Sequence, residues 1–358
     1  MRLGLFMMPL HGVGRDLTQT LREDREAILM ADRLGFEEAW VGEHLTASTE
    51  PIPSPLIFLA SLLSQTSRIR LGPGVLALPH HHPAEIAGHC ALFDHLSGGR
   101  LLLGIGPGGL PTDMELFGML GREDRGERMI EAIEIMLKIW EGEPPWRIEG
   151  RFWRFTVEQT VQTHLGNGPM LKPLQRPHPP IALSLLSPGT GLARLAGERG
   201  WGPISANFVP TRVVRTHWEV YAQGCAAAGR PADPAAWRVA RSVLVTDSDG
   251  QARDYLARHG TGLRFYYRYL CDQLTAVGLS RAFKADPDMP DAALTDDYLL
   301  DTMVIAGSPA AVADRLAALR AELGPFGTLL VAAHDWDDPV LWRRSLELLA
   351  EQVRPKLD

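Results

Sequence analysis

The stretch Arg100–Leu110, with the sequence RLLLGIGPGGL, joins a short apolar run to a glycine-rich loop. The apolar run, from Leu101 to Ile105, is typical of a strand that is buried on both faces. The loop that follows contains Gly106, Gly108 and Gly109, and glycine allows the backbone to approach a ligand closely. Backbone N–H groups in such a loop can bind phosphate, and the loop can also lie flat beneath an aromatic ring. The stretch therefore predicts a strand end next to a ligand site.

The spacing Gly104-x-Gly106-x-x-Gly109 also matches the fingerprint of dinucleotide-binding proteins. That fingerprint requires a helix that opens at the third glycine and an acidic residue about 20 positions later. Here Pro111-Thr112-Asp113 follows, and the sequence predicts a long amphipathic helix only from about Glu123. We therefore favour a glycine-rich strand end in another parallel α/β fold over a nicotinamide-binding fold.

Apolar, strand-like runs alternate with amphipathic, helix-like runs along the whole chain. Eight runs are predicted strands, at residues 3–8, 39–42, 69–76, 101–105, 181–185, 202–205, 238–245 and 327–332. Eight strand–helix units with short connections indicate a closed (β/α)8 barrel, the TIM-barrel fold, rather than an open sheet. The 358 residues suffice for one such domain, which we predict to span residues 1–358.

Two segments interrupt this alternation. Residues 143–175 contain scattered aromatic residues and are predicted to form a short β excursion. Residues 250–301 are rich in aromatic residues and then in Asp and Pro. A segment of that length within a compact domain is normally a lid or a binding loop, which is our prediction. The alternative is an insertion that only packs on the barrel.

The composition excludes several classes of partner. A net charge of -7 at pH 7 does not favour binding to nucleic acid or to an anionic membrane. No apolar run approaches the roughly 20 residues of a membrane span. The three cysteines, Cys90, Cys225 and Cys271, are odd in number and far apart, which fits neither a disulfide framework nor a zinc site. The sequence therefore predicts a cytoplasmic protein without a bound metal.

Functional residues of a (β/α)8 barrel follow the carboxyl ends of its strands. Few residues at these positions are charged and many are small, which suits a planar organic cofactor better than a metal ion. The candidates are Met8, His11, Glu43, His44, Gly74, Val75, Gly106, Gly108, Gly109, Ser187, Gly189, Thr190, Asn207 and His334.

The histidines at these positions differ in what they predict. The run His80-His81-His82 is a weak metal candidate, because consecutive side chains in an extended loop diverge and no nearby carboxylate or cysteine set completes a coordination shell. We expect His82 to be a pocket wall or a structural hydrogen-bonding group. His44 follows the second strand, where an imidazole could act as a general base or donate a hydrogen bond to a reactive oxygen. Alternatively, His44 only fixes the strand end.

Several motifs resemble those of the bacterial luciferase-like, flavin-dependent monooxygenases, and in particular the branch of limonene monooxygenase-like proteins. The matching segments are Gly35-Phe36 with residues 39–44, residues 69–72 with Leu78-Pro79 and His82-Pro83, residues 94–100, residues 307–309, residues 334–336 and residues 345–349. They span nearly the whole chain, and residues 96–106 are the most specific. The resemblance implies a (β/α)8 barrel, usually dimeric, that uses reduced FMN and dioxygen to oxygenate an apolar substrate.

The resemblance also implies where FMN binds. The Gly74–Val75 peptide matches the position at which the family places a non-prolyl cis bond against the flavin ring. The phosphate is expected at the loop after the fifth strand, which opens a helix and is suited to anions on its own account. A basic residue near the fourth helix would add positive charge. The expected FMN site comprises Met8, Gly74, Val75, Gly106, Gly108, Ser187, Gly189 and Thr190, with Arg125 or Arg128.

Two departures from the family pattern affect the expected chemistry. Many relatives have two histidines after the glutamate, whereas this chain has His44-Leu45. In luciferase, cysteine and arginine stand at the places of Gly106 and Pro107, so their absence argues against light emission and leaves a wider floor beside the flavin.

The sequence as a whole predicts a two-component monooxygenase that receives reduced FMN from a separate reductase and epoxidises or hydroxylates a terpenoid or polycyclic aromatic substrate. His44 is the expected catalytic residue. The expected substrate-binding residues are His11, Leu45, His82, Phe265 and Tyr266. Two alternatives stay open, namely a deazaflavin-dependent dehydrogenase on the same barrel and a non-catalytic flavin-binding protein.

Overall fold

A parallel barrel forms the centre of the structure, a computed structural model that describes residues 1–8 and 10–357. The strands are β1 (Arg2–Met7), β2 (Glu38–Val41), β3 (Arg70–Pro73), β4 (Leu76–Ala77), β5 (Leu103–Gly106), β6 (Trp146–Glu149), β7 (Arg154–Val157), β8 (Ile181–Leu185), β9 (Gly202–Ser205), β10 (Arg238–Val245), β11 (Val304–Gly307) and β12 (Thr328–Ala333). The main sheet runs in the order β3-β2-β1-β12-β10-β9-β8-β5-β4, and β11 pairs with β10 outside this path.

The barrel closes at the third strand position, which the segments β3 and β4 occupy together. The segments β3 and β4 follow each other directly in the chain, β3 pairs with β2, and β4 pairs with β5. A further parallel bridge joins Leu71 to Leu101. The ladder is therefore continuous around eight strand positions, and the predicted (β/α)8 fold is confirmed.

The helices surround the barrel and begin and end at recognisable signals. They are α1 (Leu17–Arg33), α2 (Pro55–Ala60), α3 (Pro83–Leu96), α4 (Pro111–Leu116), α5 (Arg125–Glu141), α6 (Gly191–Arg199), α7 (Thr211–Ala227), α8 (Asp249–Ala257), α9 (Gly262–Ala276), α10 (Asp296–Met303), α11 (Pro309–Leu323) and α12 (Pro339–Leu348). Helix α11, for example, is capped by Ser308, whose hydroxyl accepts from the N–H of Ala311, with Pro309 in its first turn. No helix within the described residues has the length and apolar character needed to cross a membrane.

The structure differs from the prediction at three places. The third strand, predicted as continuous, is interrupted at Gly74–Val75, where the peptide bond is cis. The short helix α4 begins directly after the glycine-rich loop, although the sequence predicted a helix only from about Glu123. The four residues of β11, directly after the segment 250–301 and α10, were not predicted as a strand.

The two interrupting segments have different structures. The segment 143–175 contains the antiparallel hairpin β6–β7, in which Trp146 pairs with Val157. The segment 250–301 contains most of α8, all of α9 and the start of α10. On α9, the side chains of Tyr266 and Tyr267 are almost fully buried. This helix therefore packs into the mouth of the barrel.

A layer of mostly apolar side chains fills the barrel interior. It consists of Phe6, Trp40, Leu102, Ala182, Ile204, Ala240 and Leu330. Large rings from β1 and β2 and small residues from the opposite strands share the space, as close packing requires. Below this layer, Glu38 accepts hydrogen bonds through Oε2 from Nε1 of Trp40 (3.0 Å) and from Nε of Arg238 (2.8 Å). The interior is thus a packed core, and any cavity must lie above it, at the carboxyl ends of the strands.

Four glycines let the third strand position approach β5 and β2 without intervening side chains. A Cβ atom at Gly72 would collide with the backbone of Leu102, and one at Gly104 with the carbonyl oxygen of Pro73. A Cβ atom at Gly74 would lie 2.9 Å from Cβ of Trp40, and one at Gly106 would lie 2.7 Å from Cγ2 of Val75. Cβ atoms in proteins essentially never approach other atoms this closely. Glycine is therefore needed at these four positions for the barrel to close.

Replacing Gly104 by alanine is expected to lower the free energy of unfolding by about 1–3 kcal/mol or more, because the carbonyl oxygen of Pro73 belongs to the backbone and cannot rotate away. Gly88→Ala is the matched control. That position lies in α3 with no atom near the added methyl group, so alanine should leave stability unchanged or raise it by up to about 1 kcal/mol. Urea unfolding measures both, and equal stability of the two variants would contradict the packing argument.

Candidate active site

A cavity of about 490 Å³ opens at the carboxyl ends of the strands. Its walls come from the loops after β2, β3, β5 and β8 and from the end of α9. The residues predicted from the sequence that line this cavity are Glu43, His44, Gly74, Val75, Gly106, Gly108, Gly109, Arg125, Ser187 and Thr190. The strand-end rule therefore located residues that the fold does bring together.

The floor of the cavity is mainly backbone. It includes Gly42, the cis peptide between Gly74 and Val75, and Gly106. The cis bond has the position that the family resemblance implied. Because three of these four residues have no side chain, backbone forms most of this surface.

Arg125 provides positive charge in the cavity wall. Its Nη1 donates to the carbonyl oxygen of Gly108 (3.0 Å) and approaches Sδ of Met114 (2.7 Å). Arg128, the alternative cation, lies elsewhere: its guanidinium carbon sits 4.8 Å from the ring centroid of Trp153 and 5.0 Å from that of Phe152. Between the two arginines, the geometry favours Arg125 as a ligand for an anion in the cavity.

Polar groups near the start of α6 form a further part of the cavity wall. Thr190 is the N-cap of this helix, and its hydroxyl accepts from the N–H of Leu192 (3.4 Å). The carbonyl oxygen of Ser187 lies 3.1 Å from Nε2 of His217, which is therefore the donor. Burial lowers the pKa of His217 to about 4, so this imidazole is neutral and holds the loop at neutral pH. Gly189 is not a lining residue, and its N–H donates to the hydroxyl of Thr216 (3.0 Å).

His44 lies in the cavity wall between two carboxylates. Its Nδ1 is 3.0 Å from Oδ2 of Asp113, and its Nε2 is 3.2 Å from Oε2 of Glu50. Burial opposes the charged form, but Glu50 and Asp113 outweigh it and raise the pKa of His44 above its usual value. The two carboxylates therefore favour the charged form of this imidazole.

Asp113 connects the loop after β2 to α4. Its Oδ1 accepts from the N–H groups of Leu45 (3.1 Å) and Thr46 (2.9 Å) and from the hydroxyl of Thr46 (2.6 Å). Burial acts in the opposite direction, but the hydrogen bonds from His44 and Thr46 lower the pKa of Asp113 to about 2. Asp113 is therefore ionised throughout the physiological pH range. The side chain of Leu45, a predicted substrate-binding residue, is 42% exposed and does not line the cavity.

The three adjacent histidines point in different directions, as predicted. His80 lines the cavity and stacks on Phe117 with ring centroids 4.5 Å apart, and burial lowers its pKa. Nε2 of His81 lies 2.9 Å from Oε1 of Glu43. His82 precedes α3, with its ring 5.0 Å from that of Phe155 and outside the cavity.

His11 belongs to a separate buried cluster. Its Nδ1 lies 2.7 Å from Oδ1 of Asp335, and its Nε2 lies 3.2 Å from Oδ2 of Asp24. The ligand atoms of His11, Glu23 and Asp335 lie close enough to share a metal ion, but Arg15 already donates to both carboxylates, at 2.6 Å and 3.1 Å. The cluster joins the loops after β1 and β12 to α1, and His11 does not line the cavity.

The remaining predicted residues lie beside or below the cavity. Met8 packs on the apolar layer inside the barrel, next to Gly42. Tyr266 donates its hydroxyl to Oδ1 of Asn207 (3.0 Å) beneath the cavity, and Phe265 packs against Tyr269. The lining residues from the segment 250–301 are instead Leu274, Val277 and Leu279, at the end of α9.

Asp113, Glu50, His80 and His217 were not proposed from the sequence as site residues. Asp113 carried a weak signal, as the first carboxylate after the glycine-rich loop. Glu50 and His217 carried none, because neither stands at a predicted strand end and their positions depend on the folded loops.

Comparison with known proteins places this geometry in a family. The sequence profile described as luciferase-like monooxygenase matches residues 1–325. The chain therefore belongs to the bacterial luciferase-like monooxygenases, as its motifs predicted.

Characterised relatives match almost the full chain. It is 34% identical to 4-hydroxyprotoasukamycin monooxygenase of Streptomyces nodosus subsp. asukaensis, over 99% of this chain and 92% of that protein. It is 31% identical to limonene 1,2-monooxygenase of Rhodococcus erythropolis, over 98% of this chain and 85% of that protein. The oxygenating constituent of 3,6-diketocamphane monooxygenase from Pseudomonas putida, a type II Baeyer–Villiger monooxygenase solved in complex with FMN, superposes with a TM-score of 0.90 at 30% identity. That match covers 100% of this chain and 99% of that chain.

The His11 cluster is expected to make stability depend on pH. Burial opposes the charged form of His11, but Asp24 and Asp335 outweigh it and raise the pKa of His11 to about 9. Because the folded value exceeds the unfolded one, this stabilisation is complete below pH 6.5 and is lost as the pH rises through 9, a change of up to about 3 kcal/mol.

Chemical unfolding of the native protein and of His11→Gln between pH 6.5 and 9 measures this effect. The variant should be less stable at pH 6.5 and should lose less stability on going to pH 9. His89→Gln, at an exposed position on α3, is the control and should follow the native curve. Parallel curves for the native protein and His11→Gln would show that His11 does not contribute.

Proposed function

We propose that this protein is an FMN-dependent monooxygenase that oxygenates an apolar substrate with dioxygen. One observation carries the proposal: the cavity combines a flat backbone floor with a cation and a helix N-terminus suited to phosphate, in a fold that a relative of 30% identity uses with FMN. A flat ring joined to a phosphate has the shape that this arrangement fits.

The residues present fit both the phosphate and the ring of FMN. Arg125 supplies the positive charge, and the hydroxyls of Ser187 and Thr190 with the first N–H groups of α6 supply donors, so these groups would hold the phosphate. The peptide of Gly74–Val75 and the backbone at Gly106 would support the ring, since both line the cavity and both glycines lack a side chain. The cavity volume is within the range typical of small-molecule sites.

The reaction balances with one reduced flavin for each oxygenated product. Reduced FMN supplies two electrons and two hydrogens, one oxygen atom enters the substrate, and the other leaves as water. The protein's part is to exclude bulk water and to stabilise developing charge. His44 is placed to stabilise that charge, because it lines the cavity and because its raised pKa favours the positively charged form.

The apolar part of the cavity wall supports an apolar substrate. Leu274, Val277 and Leu279 line one side, together with Leu186 and Leu192. We propose a terpenoid or polycyclic substrate, either an alkene or arene that is epoxidised or hydroxylated, or a cyclic ketone. The ketone is included because a relative is a type II Baeyer–Villiger monooxygenase.

A separate flavin reductase is proposed as the partner. Gly104 and Gly106, which match the dinucleotide fingerprint, are packed against Pro73 and Val75 and so serve the barrel. Electrons would therefore arrive as reduced FMN. The homodimer and the cytoplasmic location remain predictions from the sequence.

Arg125→Ala is expected to weaken FMN binding about 10–100-fold, because a charge-assisted hydrogen bond to phosphate contributes about 1.5–3 kcal/mol. Riboflavin, which has no phosphate, should bind the variant and the native protein nearly equally. Arg128→Ala is the matched control and should affect FMN binding less than tenfold. Titration with each flavin, followed by quenching of its fluorescence, gives these dissociation constants. Equal losses for FMN and riboflavin would exclude a phosphate contact for Arg125.

Incubation with reduced FMN and ¹⁸O₂ tests the proposed activity. A panel of cyclic terpene alkenes, cyclic terpene ketones and polycyclic arenes should yield a product that contains one labelled oxygen atom. Product without the label, or turnover only with a reduced deazaflavin under anaerobic conditions, would overturn the proposal in favour of the dehydrogenase. Binding of FMN without turnover of any panel member would favour the non-catalytic alternative.

A further inference from the structure

Glu50 is a buried carboxylate directly behind His44. Its residue is only 3% exposed, and its Oε2 lies 3.2 Å from Nε2 of His44. Among residues 1–8 and 10–357, no donor forms a hydrogen bond of ordinary geometry with this oxygen. A buried carboxylate oxygen in that situation is costly unless a charged partner faces it, and His44 is that partner.

The loop between His44 and Ile52 fixes this arrangement through its backbone. The N–H of His44 donates to the carbonyl oxygen of Ile52 (3.2 Å), and the N–H of Glu50 donates to that of Ala47 (3.2 Å). The N–H of Ile52 donates to the carbonyl oxygen of Glu50 (2.9 Å). The loop thus folds back on itself, and the Glu50 side chain is directed at His44 from the side opposite Asp113.

The two carboxylates act differently on His44. Asp113, with a pKa of about 2, is firmly ionised and accepts from Nδ1–H. Burial raises the pKa of Glu50, and the charge of His44 opposes that rise. Other titratable groups face the pair from the neighbouring loops and from α9, and they are Glu43, His11, Tyr266 and Tyr269.

We propose that Glu50 is a positioning residue that keeps His44 doubly protonated, with Nδ1–H donating to Asp113 and Nε2–H held 3.2 Å from the Glu50 carboxylate as an ion pair. Neither ring nitrogen then has a free lone pair, so His44 presents a positive charge to the cavity instead of acting as the general base considered from the sequence. A fixed cation beside a cavity stabilises negative charge that develops on oxygen there. The catalytic meaning of this state rests on the proposed function, whereas the protonation state itself does not.

The proposal is tested by ¹⁵N NMR of histidine-labelled protein without flavin, with the signals of His44 assigned through His44→Gln. In the native protein, both ring nitrogens should be protonated at pH 7. Glu50→Gln replaces the carboxylate by a neutral amide of the same shape. It should lower the pKa of His44 by about one unit or more, which is at least a tenfold loss of proton affinity.

Glu43→Gln is the matched control, because it removes the same charge from the same region. Glu43 accepts from the N–H of Ala77 (2.9 Å) and contacts His81, not His44, so its replacement should shift the pKa of His44 by less than half as much. Thermal unfolding establishes that each variant is folded. If Glu50 had only a structural role, Glu50→Gln would change the unfolding temperature but would not change the pKa of His44.

Two outcomes overturn the proposal. One is an unprotonated Nε2 or Nδ1 on His44 in the native protein at pH 7, which decides the matter even if Glu50→Gln does not fold. The other is an unchanged His44 titration in folded Glu50→Gln. Failure of the proposed oxygenation would appear separately, as absence of product from the native protein, and would leave the NMR result intact.

Discussion

Direct contact between backbones at the third strand position is the constraint on which the other features depend. At Gly72 and Gly104, peptide groups of neighbouring strands occupy the space in which side chains normally stand. This contact brings the interrupted strand close to Trp40, a member of the apolar layer inside the barrel. The same lack of side chains leaves a peptide floor above the layer, and the cavity begins there. Barrel closure and site formation are therefore two results of one packing condition.

The sequence predicted the barrel well because each strand carried its own local signal. Apolar runs followed by amphipathic runs require no knowledge of distant contacts. The strand-end rule then indicates the end of the barrel at which the cavity opens, although only some of the candidates line it. Elements without periodicity were missed, such as α4 and β11. The partners of His44 were missed for a different reason. Asp113 is 69 residues away in the sequence, and Glu50 approaches only because its loop folds back, so no local pattern encodes either contact.

Histidines near the mouth of the barrel fall into two electrostatic groups. His11 and His44 lie between pairs of carboxylates, which overcome burial and favour the charged form. His217 and His334 contact the hydroxyls of Ser205 and Ser242 instead, and burial lowers their pKa values to about 4 and about 3. The same side chain thus supplies charge on one side of the mouth and neutral hydrogen bonds on the other. Neighbouring residues, rather than the imidazole itself, determine which of the two it provides.

One part of the cavity wall comes from a single short stretch at the end of α9. Leu274, Val277 and Leu279 lie close together in the chain, whereas the floor, the arginine and the phosphate-suited loop come from separate parts of the barrel. Substitutions in that one stretch would change one part of the cavity wall and leave the groups from the rest of the barrel in place. Under the proposed function, a short region could therefore alter substrate selectivity while the FMN-facing groups stay unchanged.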